Sequence, residues 1–307
     1  MSQSPKRYFG WYVPKPNGTM DLARATQEFS EEDWNEFLRV VSVTWEVRPL
    51  IVDYIALEIA FRNLVDMPRS LVETIATPEH VMLLGGVPQI KVLAAAEGAL
   101  SNFLAGTSAL RDRAGTRIRK GFGKDSLEAA KLKAAEKDSY DASFAYRLFY
   151  NLRNFAQHED LPMSTIPVNV RRTEAGTYKA EIRLILHPQE LADSERVQKT
   201  FREKELKLHT SELDLISLAQ EAFSYYSAIV RTVIEFYSDR IAEMQQYGRV
   251  IIEKSGMPKD SIPVVWEGDG SPPGHYQHFS FDELGFLVML YEKLSANGIK
   301  LGPQPTV

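Results

Sequence analysis

The chain has 307 residues, of which 44% are hydrophobic and 25% are charged, and its formal net charge is −5. This composition is typical of a soluble protein with one large domain or two smaller ones, and it argues against nucleic acid wrapped over the whole surface. The sequence contains no cysteine, which excludes disulfides, thiolate metal sites and cysteine nucleophiles. A cytoplasmic location is expected, and no stretch predicts a membrane span or a secretion signal.

The first predicted element is a helix that begins at Ser30 and continues to about Val65. Ser30 is followed directly by three acidic residues, a pattern typical of a helix N-terminus. Pro49 predicts a kink within this helix, because proline lacks the amide hydrogen that the helix ladder needs.

Two further helices are predicted on either side of the sequence GFGK at 121–124. The earlier one covers about residues 89–120 and is rich in Ala and Leu. The later one runs from about Ser126 to His158, where the turn before Pro162 ends it.

The second half of the chain contains one predicted β-hairpin and one long helix. Apolar and polar residues alternate in VNVRRTEAGTYKAEIRLIL, which predicts a hairpin at about 165–187 around Gly176. From Ser211 to about Tyr247, apolar residues spaced three and four apart predict the long helix. A segment rich in Pro and Gly then leads to a short amphipathic helix at about 281–295.

These elements predict a mainly α-helical fold with one inserted β-hairpin. We expect an N-terminal helical region at 1–75, a helical core with the hairpin at 76–250, and a C-terminal segment with a short helix at 251–307.

The third predicted helix ends in NLRNFAQHEDLP, residues 151–162. Arg153 and His158 lie about 140° apart around a helix, at the two borders of its polar face. A single helix cannot easily direct both side chains to one phosphate, but two such helices face to face could line a shared cleft. The spacing therefore favours a homodimer.

RNFAQH fits the pattern of Arg, a polar residue, three variable residues and His that marks the HEPN superfamily. The preceding YDASFAYRLFYNL, and NFLAGTSALRDRAGTRIRKGFGKDS before it, also resemble HEPN proteins, so that the resemblance covers about residues 90–250. It implies a HEPN-like helical bundle that dimerises and, in active members, cleaves RNA without a metal. The catalytic residues that it implies are Arg153, Asn154 and His158.

The chemistry of these residue types agrees with RNA cleavage by internal attack. That reaction needs a base, an acid and positive charge on the transition state. Histidine, with an unperturbed pKa of about 6.5, can serve as base or acid at neutral pH. Arginine stays cationic and can bind two phosphate oxygens, and Asn154 would orient the pair or the substrate. No metal or other cofactor is expected.

Residues 111–133 contain eight basic and three acidic residues, a local charge of +5 that could attract RNA. The candidate RNA-binding residues are Arg147, Tyr150, Arg113, Arg117, Arg119 and Lys120.

Each assignment has a structural alternative. Arg153 and His158 could cap the helix C-terminus, the basic run could be a solvated helix face, and Arg147 could form hydrogen bonds between helices.

The sequence favours a HEPN-type endoribonuclease, a bacterial toxin or antiphage effector with an antitoxin or other regulatory protein as a further partner. The alternatives are a non-catalytic HEPN-like interaction or sensor module, and a nucleotide-binding partner of a nucleotidyltransferase.

Overall fold

The computed structural model describes residues 6–75, 87–156, 166–175, 178–209, 211–258, 261–267 and 275–278, together with residues 289, 290 and 293. The chain is mainly helical, which confirms the predicted class. Within these ranges the helices are α1 (Glu31–Ile75), α2 (Val87–Gly121), α3 (Leu127–Ala142), α4 (Phe144–Ala156), α5 (Pro188–Asp193), α6 (Lys199–Lys204), α7 (Leu215–Glu235) and α8 (Ser238–Ser255). The strands are β1 (Arg7–Pro14), β2 (Met20–Glu28), β3 (Val168–Arg172), β4 (Tyr178–Ile182), β5 (Ile185–Leu186), β6 (Leu213–Asp214), β7 (Ile262–Glu267) and β8 (His275–His278).

Helix α1 begins where the sequence predicts and ends later. The Ser30 hydroxyl accepts a hydrogen bond from the Asp33 amide at 3.0 Å, and the Asp33 carboxylate accepts one from the Ser30 amide at 3.2 Å. This reciprocal cap confirms the predicted start. The chain remains helical through Pro49 and past the predicted end at Val65 to Ile75, so the predicted end was wrong.

Two helices predicted as continuous are broken. Up to Ala156, the stretch predicted as a helix over 126–158 forms α3 and α4, with Ser143 in an extended conformation between them, and residues 157 and 158 lie outside the described residues. The helix predicted over 211–247 begins later, at Leu215, because Leu213 and Asp214 form β6, and the rest forms α7 and part of α8, which Phe236 and Tyr237 separate. The apolar periodicity continues across each break, and for that reason the sequence pattern does not reveal it.

The predicted hairpin is confirmed, but it is not the only β structure. Strands β3 and β4 pair antiparallel, with Val168 opposite Ile182 and Arg172 opposite Tyr178. Leu186, which the sequence places in the hairpin, belongs to β5 and pairs with Leu213 of β6.

A four-stranded antiparallel sheet in the order β2-β1-β7-β8 corrects the prediction for both ends of the chain. The N-terminal region was predicted to be helical, yet it contributes β1 and β2. The C-terminal segment was predicted as an irregular stretch and a helix, yet it contributes β7 and β8. Most of the short helix predicted at 281–295 lies outside the described residues, although residues 289, 290 and 293 are helical.

The chain divides into two compact units, and the division differs from the predicted domains. The first unit contains residues 1–51 and 233–296, and within the described ranges it holds the four-stranded sheet, the first part of α1 and α8. The second unit contains residues 52–232. It includes the hairpin and helices α2 to α6.

The second unit has a core of aromatic and aliphatic side chains. Phe61 stacks on Phe223 with ring centroids 4.2 Å apart, and Phe103 meets the edge of Phe149 at 5.2 Å. Helices α1 and α2 approach closely at Gly106, where an added Cβ would lie 3.2 Å from Cδ1 of Leu57. Among the residues that the structure describes, no helix combines the length and apolar character needed to cross a membrane.

Candidate functional site

The residue before α4 determines where the helix starts and therefore where its polar side chains point. Ser143 is fully buried, and its hydroxyl accepts a hydrogen bond from the Tyr146 amide at 3.0 Å. The same hydroxyl donates to a carboxylate oxygen of Glu221 at 2.5 Å. Ser143 thus caps α4, while its own amide still bonds to the last turn of α3.

One face of α4 is core. Leu148, Phe149, Leu152 and Phe155 are each at most 4% exposed. The opposite face carries the candidate site residues, and these separate into different environments.

Arg153 lies in the last turn of α4 and lines a cavity of about 400 Å³, which we call the Arg153 cavity. Its side chain is 32% exposed, and its Nη1 atom is 4.0 Å from Oδ2 of Asp112. The other residues around the cavity are Ser101, Leu104, Ala105, Ser108, Ala109, Arg113 and Ala156. A guanidinium that is partly exposed and held by one distant carboxylate remains available to a further anion.

The other two candidate catalytic residues are Asn154 and His158. Asn154 is half-buried on α4, immediately after Arg153. His158 follows Ala156 by two residues and lies outside the described residues.

Arg147 has structural contacts. Its guanidinium forms an ion pair with Glu205 at 2.8 Å and donates to the backbone carbonyls of Tyr140 and Asp141. Only 17% of this side chain is exposed. These bonds join α4 to the end of α3 and to the residue after α6, and they match the alternative interpretation of Arg147.

The arginines of α2 are partly neutralised. Arg113 and Arg117 each bind one oxygen of Asp53, at 2.6 Å and 2.5 Å, and the Asp53 side chain is 7% exposed. Arg113 also lines the Arg153 cavity, so it is the one RNA-binding candidate that the structure brings together with Arg153 in the described residues. Arg119 and Lys120 are exposed at the end of α2.

Tyr150 belongs to a second cavity of about 520 Å³, which we call the tyrosine cavity. The residues that line it are Arg111, Lys133, Glu136, Lys137, Tyr140, Tyr146, Tyr150 and Gln198. The guanidinium of Arg111 lies over the Tyr150 ring, 4.5 Å from its centroid. Burial raises the pKa of the Glu136 carboxyl, although the positive charge of Arg111 acts in the opposite direction. Burial also raises the pKa of the Tyr146 hydroxyl.

The sequence interpretation did not identify Asp112 or Glu136 as a residue that lines a cavity. A signal exists for Glu136, since Lys133, Glu136, Lys137 and Tyr140 recur at the spacing that places them on one face of a helix. For Asp112 no local signal exists, because its contact with Arg153 joins residues 41 positions apart.

The described residues contain no group of three or more His, Asp or Glu side chains that could hold a metal ion. No family model, no curated protein and no solved structure matches this chain.

Proposed function

We propose that this protein is a metal-independent endoribonuclease of HEPN type that acts as a homodimer. The observation that carries the proposal is Arg153, a partly exposed cation in the wall of a cavity, five residues before a histidine in the sequence RNFAQH. Arg113 adds a second cation to the same cavity. Two guanidinium groups beside one cavity suit a phosphodiester, which arginine can bind through paired hydrogen bonds.

The proposed reaction is internal transfer of the RNA phosphate. A histidine base removes the proton of the 2′-hydroxyl, and the 2′-oxygen forms a bond to phosphorus. The bond from phosphorus to the 5′-oxygen breaks, and a histidine acid protonates that oxygen. In a dimer, the two copies of His158 would divide these roles, and Arg153 would stabilise the negative charge of the transition state. Asn154 would hold the substrate or the pair by a hydrogen bond.

The biological role proposed with this activity is that of a toxin or antiphage effector in the cytoplasm. An RNase with this role needs restraint, so an antitoxin or another regulatory protein is the expected protein partner.

One observation favours the alternative of a non-catalytic interaction module. Asp112 lies in the Arg153 cavity, where its carboxylate would repel a phosphate. The alternative predicts that the protein leaves RNA intact and that substitution of Arg153 changes only the binding of a partner.

Substitution of Arg153 and His158 tests the proposal. We expect Arg153→Ala to lower the cleavage rate of labelled RNA by about 10²-fold or more, through loss of charge stabilisation in the transition state. His158→Ala is expected to lower it by about 10²- to 10⁴-fold through loss of proton transfer. Arg153→Lys is expected to retain part of the activity, since it keeps the charge but loses the forked geometry.

The matched control is Arg171→Ala, which removes an exposed arginine from β3. Circular dichroism and thermal unfolding show whether each variant is folded. Cleavage by folded Arg153→Ala or folded His158→Ala at the parent rate would contradict the proposal, and unfolding of either variant would support a capping role.

A further inference from the structure

The tyrosine cavity is lined by three cationic side chains and one carboxylate, and a second carboxylate, Asp112, contacts Arg111 at 3.3 Å. Lys133 and Lys137 stand four residues apart on α3, and Arg111 reaches the same cavity from α2. Glu136 is the single carboxylate among its lining residues. Within the described ranges neither lysine has a carboxylate partner. Like charges four residues apart on a helix repel each other, and a bound anion would relieve this repulsion.

A buried hydroxyl beside these charges also lacks a partner. Tyr146 lines the tyrosine cavity and is 1% exposed, yet its hydroxyl oxygen has no hydrogen-bond partner among the described residues. Most buried polar groups in proteins are paired, because a lost hydrogen bond is not replaced by water. A polar ligand in this cavity would supply the partner that this hydroxyl lacks.

Contacts among the other lining residues hold Arg111 and Tyr140 in place, and the cavity has room for a ligand. Arg111 is held over the ring of Tyr150, and the Tyr140 hydroxyl donates to the Gln198 side chain at 3.0 Å. The rings of Tyr140 and Tyr150 meet edge to face at 5.6 Å. The volume of about 520 Å³ lies within the range of small-molecule sites.

We propose that the tyrosine cavity binds a phosphate group, either free or carried by a small molecule as a monoester. A phosphate dianion suits this lining, in which three cations outnumber Glu136 and the nearby Asp112. Arg111 would supply a forked contact, Lys133 and Lys137 compact charges, and Tyr146 a hydrogen bond. This site is separate from the proposed RNase function, because it uses none of Arg153, Asn154 and His158.

Isothermal titration calorimetry with four probes tests the proposal on the full chain. The probes are inorganic phosphate, ribose 5-phosphate, adenosine 5′-monophosphate and adenosine. We expect the phosphorylated probes to bind and adenosine not to bind. Equal affinities for inorganic phosphate and the monoesters identify free phosphate as the ligand, whereas tighter binding of the monoesters identifies an organic phosphate.

Substitutions show whether the binding occurs in this cavity. Lys133→Met and Lys137→Met are each expected to weaken binding about ten-fold, the effect of removing one charge-assisted contact. Tyr146→Phe should weaken it by a smaller factor. Glu136→Gln should strengthen binding, since the substitution removes the only carboxylate from the lining. A gain in affinity cannot result from misfolding, so this variant separates a change in the site from a loss of fold.

The matched control is Lys124→Met, which removes an exposed lysine from the turn between α2 and α3. Absence of binding of every phosphorylated probe at millimolar concentration overturns the proposal. So does binding of adenosine as tight as that of its monophosphate, or binding that both lysine variants leave unchanged. None of these outcomes bears on RNA cleavage, which is measured separately.

Discussion

At the scale of single residues, Asp112 is placed to restrain Arg153. Its Oδ2 atom is 4.0 Å from Nη1 of Arg153, and its Oδ1 atom accepts a hydrogen bond from Arg111 at 3.3 Å. Asp112 therefore lies between the Arg153 cavity and the tyrosine cavity and contacts one cation of each. A carboxylate in this position competes with any phosphate that approaches Arg153.

Asp112→Asn is expected to raise RNA cleavage at sub-saturating substrate by about two- to five-fold, the effect of removing a partly exposed charge interaction. The amide keeps the size of the side chain and removes its charge. Cleavage rates at several RNA concentrations measure the effect. The control is Asp125→Asn, which makes the same charge change in the exposed turn after α2. An equal gain in both variants would show that net charge, and not the contact with Arg153, causes the effect.

The buried residue Asp53 limits the role of Arg113 and Arg117 as candidate RNA-binding residues. Because it binds both Arg113 and Arg117, part of the positive charge predicted for α2 is neutralised within the fold. The basic run from 111 to 133 is therefore weaker as an RNA-binding surface than its sequence suggests.

At the scale of elements, the contact between α1 and α2 depends on a glycine. A Cβ at Gly106 would lie 3.2 Å from Cδ1 and 3.4 Å from Cα of the buried Leu57, whereas a Cβ at Gly98 on the same helix would meet no atom within 4 Å. These two glycines have the same backbone preference but different surroundings.

Gly98→Ala is expected to raise the free energy of unfolding by about 0.5–1 kcal/mol, because alanine favours a helix over glycine. Gly106→Ala is expected to lower it by about 1 kcal/mol, since crowding against the backbone of Leu57 outweighs the same gain. Urea unfolding of both variants measures the difference. Equal stabilisation by the two substitutions would show that α1 and α2 do not approach as closely as described.

At the scale of the whole molecule, the proposed chemistry needs two copies of the chain. In an interface with twofold symmetry, residues near the axis meet their own copies. The chain contains no cysteine, so a single introduced cysteine can report such a contact without interference.

Ala105→Cys places a thiol at an exposed residue that lines the Arg153 cavity. Under mild oxidation we expect this variant to form a disulfide-linked dimer, visible on a non-reducing gel. Ser217→Cys, at an exposed position of α7, should remain a monomer on the gel. Sedimentation that shows only monomers at micromolar concentration, with and without RNA, would contradict the dimer.

The pH dependence of cleavage also reports on the pair of histidines. If one copy of His158 acts as base and the other as acid, the rate should pass through a maximum near neutral pH, because one copy must be neutral while the other is protonated. Cleavage should continue in EDTA and leave a 2′,3′-cyclic phosphate. Loss of activity in EDTA with recovery on adding Mg²⁺, or products with a 3′-hydroxyl end, would contradict this mechanism.

The sequence by itself determined the features that depend on neighbouring residues. The caps at Ser30 and Ser126, the break at GFGK, the apolar face of α4 and the β3-β4 hairpin follow from local hydrogen bonding and periodicity. The match of RNFAQH to the HEPN motif is also a local signal, and it stays a prediction. These signals need no knowledge of distant parts of the chain.

The tertiary structure alone decided which distant residues meet. The pairing of β1 with β7 joins the two ends of the chain, and Asp53 reaches Arg117 across 64 positions. Similarly, only the packing of α2, α3 and α4 places Tyr150 in one cavity and Arg153 in another, although they are three positions apart. A local pattern does not encode these contacts, because they depend on where separate elements pack, and that is decided by burial summed over the whole core.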